Sequence, residues 1–155
     1  MSQNEKIMYI IQNVSIKEGL LRSPSYRVIV TNERLVFAKV TKEMVKEENQ
    51  ALKENLKGKG FKERVGVLMT SSQQAQERYQ SMAVEEILRE TEGNFAVPFT
   101  DIRKVKRPMG TRFDENNQPY PRNITIHTQQ GKHVLKFHYA NESDDAYRVL
   151  KDCEK

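Results

Sequence analysis

The densest run of one charge in the chain is Arg103-Lys104-Val105-Lys106-Arg107, followed by Arg112, and no acid lies between Ile102 and Phe113. Cations at this density concentrate positive potential, and their chemistry is that of an anion surface: lipid phosphates or a nucleic-acid backbone. The same residues suit a solvated strand edge, where basic side chains discourage edge-to-edge pairing. No aromatic residue interleaves them before Phe113, which argues against stacking on single-stranded nucleic acid. The second basic cluster is Lys57-Gly58-Lys59-Gly60-Phe61-Lys62-Glu63-Arg64. There Lys57, Lys59, Lys62 and Arg64 can meet headgroups while Phe61 enters a membrane interface, or the segment is a solvated turn between two helices. Its Gly-Lys-Gly lacks the spacing of a phosphate-binding P-loop.

The remaining reactive residue types make weaker patterns. His127, His133 and His138 share one predicted hairpin, but no paired Cys/His spacing accompanies them, so no metal site is expected. Asp114-Glu115-Asn116-Asn117 has the composition of a calcium loop without its glycine or its distant bidentate glutamate. Cys153 sits on the apolar stripe of a predicted terminal helix, where a thiol behaves as a small hydrophobe. With no nucleophile elbow, no dinucleotide loop and no carboxylate pair, the chain is read as non-enzymatic, with no catalytic residue and no cofactor.

Those side chains need a scaffold, and 155 residues suffice for one domain with a real core. Charged residues make up 30% and the mean hydropathy is -0.77, so much of the chain is solvated. A net charge of +5 permits an anionic partner without requiring one. A single cysteine forbids a disulfide framework within the chain, and no apolar run reaches membrane-span length. Together these features predict a soluble, cytoplasmic protein, with peripheral membrane contact as an option.

The pattern of apolar residues predicts strands, a helical insert, more strands and a closing helix. Ile7 to Ile11 suits a first strand, and Tyr26–Val30 and Leu35–Val40 form a hairpin about Thr31-Asn32-Glu33-Arg34, with Asn32 supplying left-handed backbone. Alternation puts Leu35 and Phe37 on one face and Val36, Ala38 and Val40 on the other. Both faces are apolar, so something must cover the outside. From Thr41, a predicted N-cap, the period changes to that of a helix with Met44, Val45, Ala51, Leu52 and Leu56 on one stripe. A second helical stretch over residues 61–89 makes an αα-hairpin of the insert, residues 41–92. Phe95 and Val97 share a face of a short edge strand ended by Pro98, and Ile102 and Val105 carry another. Residues 111–122 read as loop, and Ile124–Thr128 with Val134–Tyr139 as a second hairpin. The closing helix is expected to be capped by Asn141, with Ala146, Val149, Leu150 and Cys153 inward.

Val30-Thr31-Asn32-Glu33-Arg34-Leu35-Val36-Phe37, the segment Phe99–Val105 and the late hairpin leading to a C-terminal helix resemble bacterial and archaeal PH-like (pleckstrin-homology/GRAM-like) domains. The resemblance covers roughly residues 5–40 and 94–155. It implies an α+β fold: a bent antiparallel β-barrel of about seven strands with a C-terminal capping helix, here carrying an inserted helical hairpin within a single domain, residues 1–155. It also implies a non-catalytic binding or scaffolding module. Protein–protein interaction or self-association is the first expectation, using Met44, Leu68, Met69 and Met82 left exposed on the insert. The alternative is peripheral binding to an anionic membrane through the basic loops, with nucleic acid disfavoured.

Overall fold

In the computed structural model the described residues are 5–18, 20–56 and 78–154, with 51–56 described by their backbone alone. The elements run β1 (Ile7–Ile16), β2 (Ser25–Thr31), β3 (Arg34–Lys39), α1 (Lys42–Leu56), α2 (Val84–Glu90), β4 (Phe95–Pro98), a 3-10 turn (Phe99–Asp101), β5 (Ile102–Lys106), β6 (Ile124–Thr128), β7 (Gly131–Lys136) and α3 (Ala140–Asp152). All seven strands join one antiparallel sheet in the order β4-β3-β2-β1-β7-β6-β5. The fold is therefore α+β with a C-terminal helix, and the sheet is not closed, because β4 and β5 are unpaired edges.

The connection between those edges dictates the shape. Flat, seven strands would hold β4 and β5 about 29 Å apart. Only the Phe99–Asp101 turn joins them, and such a link spans at most about 14 Å. The sheet must curl so that its first and last strands approach each other. Hydrogen bonds fasten the corner: Phe99 N–H donates to Glu33 C=O, and Gln129 N–H to Asp101 C=O.

Curling divides the apolar residues into two cores. The inner one includes Ile11, Val14, Tyr26, Val28, Leu35, Phe37, Val97, Ile102, Val105, Ile124, Ile126 and Leu135, with Ala146, Leu150 and Cys153 from α3. The outer one joins Ile10, Ile29, Val36 and Ala38 of the sheet to Met44, Tyr79 and Ile87. Leu35 and Phe37 thus face in and Val36 and Ala38 face out, as their alternation predicts, and the cover for the outer face comes from residues that follow the hairpin. Met44 is 5% exposed, so it is absorbed by this second core and is not available to a partner. Val45, expected on the same stripe, is 43% exposed, because its side chain points about 100° around the helix from Met44.

Local chemistry agrees with the sequence in most elements. Thr41 Oγ1 accepts the Met44 N–H at 3.1 Å and so caps α1. The left-handed Gly93 (φ 98°) ends the segment after α2, and Asn94 joins it to the sheet by accepting Lys39 N–H and donating to Ile87 C=O, both at 2.8 Å. Ile102 and Val105 both reach the inner core although three positions apart. A register shift between Ile102 and Lys104 inserts Arg103 as an extra residue and restores the inward face.

Several expectations need correction. Among the described residues Asn117 is the only non-glycine with positive φ, so Asn32 does not supply left-handed backbone. Thr31 shapes that turn instead, its Oγ1 accepting the N–H groups of Glu33 and Arg34. Asn141 does not cap α3: the cap position is Tyr139, without a side-chain hydrogen bond. The first strand continues beyond Ile11 to Ile16, where it meets β7. The second helical stretch is interrupted, with helical backbone at residues 78–80, extended backbone at Ala83 and then α2. Its portion over residues 61–77, and the turn of the αα-hairpin before it, lie outside the described residues.

Candidate functional site

The pairing of β1 with β7 is short: Ser15↔Lys136 and Ile16↔Leu135 only. Beyond it the chain enters the β1–β2 turn, and Gly131–Val134 keep β6 on one side and, among the described residues, no strand partner on the other. A cleft of about 520 Å³ opens at this gap, lined by Ile16, Lys17, Glu18, Phe95, Lys132, His133, Val134 and Lys136.

Its inner wall is aromatic. Phe95 stacks on the fully buried Phe37, with centroids 4.5 Å apart and planes within 7°. The His133 ring lies 5.2 Å from Phe95 and 5.7 Å from Phe37. Half-buried against these rings, His133 has its pKa lowered, because burial disfavours the imidazolium.

Its rim is basic. Lys17, Lys132 and Lys136 line the cleft, and no ion pair among the described residues engages any of them. The one acid of the lining, Glu18, accepts a hydrogen bond from the Tyr26 hydroxyl and stands 4.0 Å from Lys39 Nζ. Burial, followed by this bond to Glu18, raises the Tyr26 pKa and keeps the phenol a donor. Alternation along β7 sets Lys132 and Lys136 on the strand face opposite His133, so these lysines belong to the rim of the cleft and not to its aromatic wall.

Directly beside the cleft, Glu18 and Arg22 pair as an isolated bridge, with Glu18 N–H donating to Arg22 C=O at 2.7 Å. The turn they enclose carries Leu20 and Leu21, which are 90% and 98% exposed.

The sequence-predicted cations are placed elsewhere. Lys104 and Lys106 point outward from β5, Arg103 is the bulged residue, and Arg112 is exposed on the following loop. Arg107 is already engaged, 2.7 Å from Asp144 and 4.2 Å above the Tyr147 ring. The β5 edge itself is covered from α3's end: Val105 N–H donates to Glu154 and Lys151 Nζ to Val105 C=O. This stretch therefore forms an outer strand face, and it lines no part of the cleft. Lys57, Lys59, Lys62, Arg64, Leu68 and Met69 lie outside the described residues. Met82 is partly buried against the outer core.

The three histidines do not converge: His133 faces the aromatic wall, His127 is half-buried on β6 and His138 is exposed. Among the described residues no group of three or more His, Cys, Asp or Glu side chains is arranged to hold a metal. Asp114 shapes its own loop, its Oδ1 accepting Asn116 and Gln118 N–H groups. Cys153 is buried, and desolvation pushes its thiol up to about 11, far from thiolate chemistry at neutral pH. No helix among the described residues is long and apolar enough to cross a membrane.

Sequence reasoning missed Lys17, Lys132 and Lys136, because isolated lysines at strand ends carry no local pattern. Leu20-Leu21 did carry one: an apolar pair with no periodicity, flanked by Gly19 and Arg22 in a segment read as loop. Comparison with protein-family models, with curated proteins and with solved structures gave no match to this chain.

Proposed function

We propose that the protein is a non-catalytic binding module that takes an anionic, phosphate-bearing group in the cleft between β1, β4 and β7. The observation that carries this reading is that three lysines, Lys17, Lys132 and Lys136, are among the residues lining one cleft together with Phe95 and His133. A phosphate group satisfies several ammonium donors at once, and the aromatic wall lowers the local dielectric in which they act. The reading takes the curled sheet with its closing helix as a PH/GRAM-like scaffold, supported by the strand order and by the packing of α3 on the inner core. It also takes the module as cytoplasmic, in keeping with a single buried cysteine.

Tripolyphosphate, followed by calorimetry at low and physiological salt, tests the site. Salt-sensitive binding is expected, abolished in Lys132→Glu/Lys136→Glu and retained in Lys104→Glu/Lys106→Glu. Equal loss in both double variants would return the basic stretch on β5 to consideration, and no binding by the native chain would sink the reading.

Docking of a protein partner is the second reading, and it draws on a different surface. Residues 107–122 form a rooted arm: Arg107 and Arg122 both hold Asp144, at 2.7 and 3.3 Å, and Ser143 donates to Arg122 C=O. Met109, Phe113 and Tyr120 are exposed on it at 98%, 57% and 53%, beside Arg112. Aromatic, Met and Arg side chains on a pre-organised loop are the residue types enriched at protein interfaces.

A further inference from the structure

We propose that the outer face of β5, β6 and β7 is a docking surface for duplex nucleic acid, held through its phosphates. The inference goes beyond the anion reading of the cleft and stands on a different surface, which shares with the cleft only the rim residues Lys132, Val134 and Lys136.

Strand register assembles this face from three separate parts of the sequence. Val105, Ile124, Ile126 and Leu135 point into the inner core. Their neighbours along each strand therefore point outward: Lys104 and Lys106 on β5, Thr125 and His127 on β6, Lys132, Val134 and Lys136 on β7. Pairing aligns them in rows, with His127 between Lys104 and Lys132, and Thr125 between Lys106 and Val134. All four lysines are exposed. At the backbone, Lys104 and Lys106 stand about 6.8 Å apart along β5, and Lys104 and Lys132 about 9.6 Å apart across β6.

The face is cationic without interruption. The three strands carry Arg103 and the four lysines, and no Asp or Glu. No ion pair among the described residues engages the four lysines. The acid that feels Lys104 is Glu154, whose carboxylate is held first by Lys151 and by Val105 N–H. The other half of the outer sheet differs: Ile10, Ile29, Val36 and Ala38 are apolar there and are covered by Met44, Tyr79 and Ile87.

The composition of the face selects the partner. Lysine is depleted from protein interfaces, so a lysine grid makes a poor protein contact. Peripheral binding to a bilayer gains from buried apolar area, and Val134, the apolar residue of this face, is already half-buried. Besides His127 no ring is offered for stacking on single-stranded bases. A duplex asks for none of these. It presents one phosphate per about 3.4 Å on each strand, so a face about 10 Å across meets about three of them at once. Each ammonium that pairs with a phosphate releases a condensed counterion, and His127 adds a ring N–H donor at the centre.

A fluorescein-labelled, mixed-sequence DNA duplex, followed by anisotropy, tests the face. On logarithmic axes affinity is expected to fall with salt at a slope of about −3.6, for four phosphate contacts. Lys104→Glu/Lys106→Glu is expected to weaken duplex binding at least about tenfold and to flatten the slope by about two. Tripolyphosphate binding by that variant is expected to stay native, whereas Lys132→Glu/Lys136→Glu is expected to weaken both ligands. Lys42→Glu/Lys46→Glu makes the same change in net charge at exposed positions on α1, and is expected to leave duplex affinity within about twofold. Equal weakening by the α1 variant would reduce the effect to net charge and overturn the face. No duplex binding by the native chain at low salt would overturn it too, whatever tripolyphosphate does. Acidic phosphatidylserine vesicles bound as tightly as the duplex, with the same losses in the same variants, would defeat the nucleic-acid assignment. Duplex binding without tripolyphosphate binding would defeat the cleft reading and uphold the face.

Discussion

Arg27 on β2 and Glu48 on α1 form a two-pronged ion pair, Nη1 to Oε1 at 2.8 Å and Nη2 to Oε2 at 2.7 Å, on the outer face of the sheet. Arg27 is 7% exposed, and Nη1 also donates to the Tyr79 hydroxyl at 3.2 Å. Burial works against its charge, but these partners outweigh it and the guanidinium pKa rises. The glutamate side chain keeps 33% exposure. The two ends of the pair are therefore unequal. Glu48→Leu strands a buried cation and is expected to lower stability by about 2 kcal/mol. Arg27→Met leaves a carboxylate that turns to water, and is expected to cost about half as much. Urea unfolding of the two variants measures the difference, and equal losses would contradict the asymmetry.

Ile87 on α2 has no exposure and packs with Ile29, Val36 and Ala38. If the insert and sheet share a real core, Ile87→Ala is expected to cost about 3 kcal/mol, as for other large core truncations. Thermal unfolding should stay a single transition. A loss below about 1 kcal/mol would mean that the insert rests on the sheet without being part of its core.

Burial of His133 lowers its pKa from 6.5, so between the two values the unfolded chain binds a proton that the native chain refuses. Stability therefore rises with pH across that window. The contribution is complete above 6.5 and is lost as the pH falls through the lower native value. Acidification from about pH 7.5 to about pH 5 is expected to lower the melting temperature more in the native chain than in His133→Phe. Parallel curves for the two proteins would show that the ring titrates normally.

The same proton links to binding. An anion in the cleft favours imidazolium, so tripolyphosphate is expected to bind more tightly as the pH falls through this range. The other charged groups of the lining are Lys17, Glu18, Lys132 and Lys136. In His133→Phe the slope should flatten; a slope unchanged by the substitution would separate the histidine from the site.

Asp144 anchors both ends of the 107–122 arm through Arg107 and Arg122. Asp144→Ala is expected to leave global stability within about 1 kcal/mol, since the carboxylate is half exposed. Trypsin cleavage at Arg112 should nonetheless quicken several-fold, because local opening no longer breaks two ion pairs. Unchanged proteolysis would mean that the Asp114 turn alone fixes the arm.

Much of the fold was legible in the sequence, and the reasons are local. Alternation in Leu35–Ala38 named both faces of β3, and the apolar character of both implied a cover before any helix was placed. Thr41 announced a helix start and Pro98 an edge strand, because a side-chain cap and a missing N–H act on immediate neighbours. The cleft was not legible. Lys17, Phe95, Lys132 and Lys136 have no shared period, and more than a hundred positions separate the first from the last. They meet because three residues tie the outermost strands together and curl the sheet, and because β1 stops pairing with β7 at Ile16. The densest run of charge, meanwhile, was turned onto an outer strand and partly spent on Asp144. Composition sets how much charge a chain carries; which charges share a cavity is decided by the long-range closure of the sheet, which no short window of residues encodes.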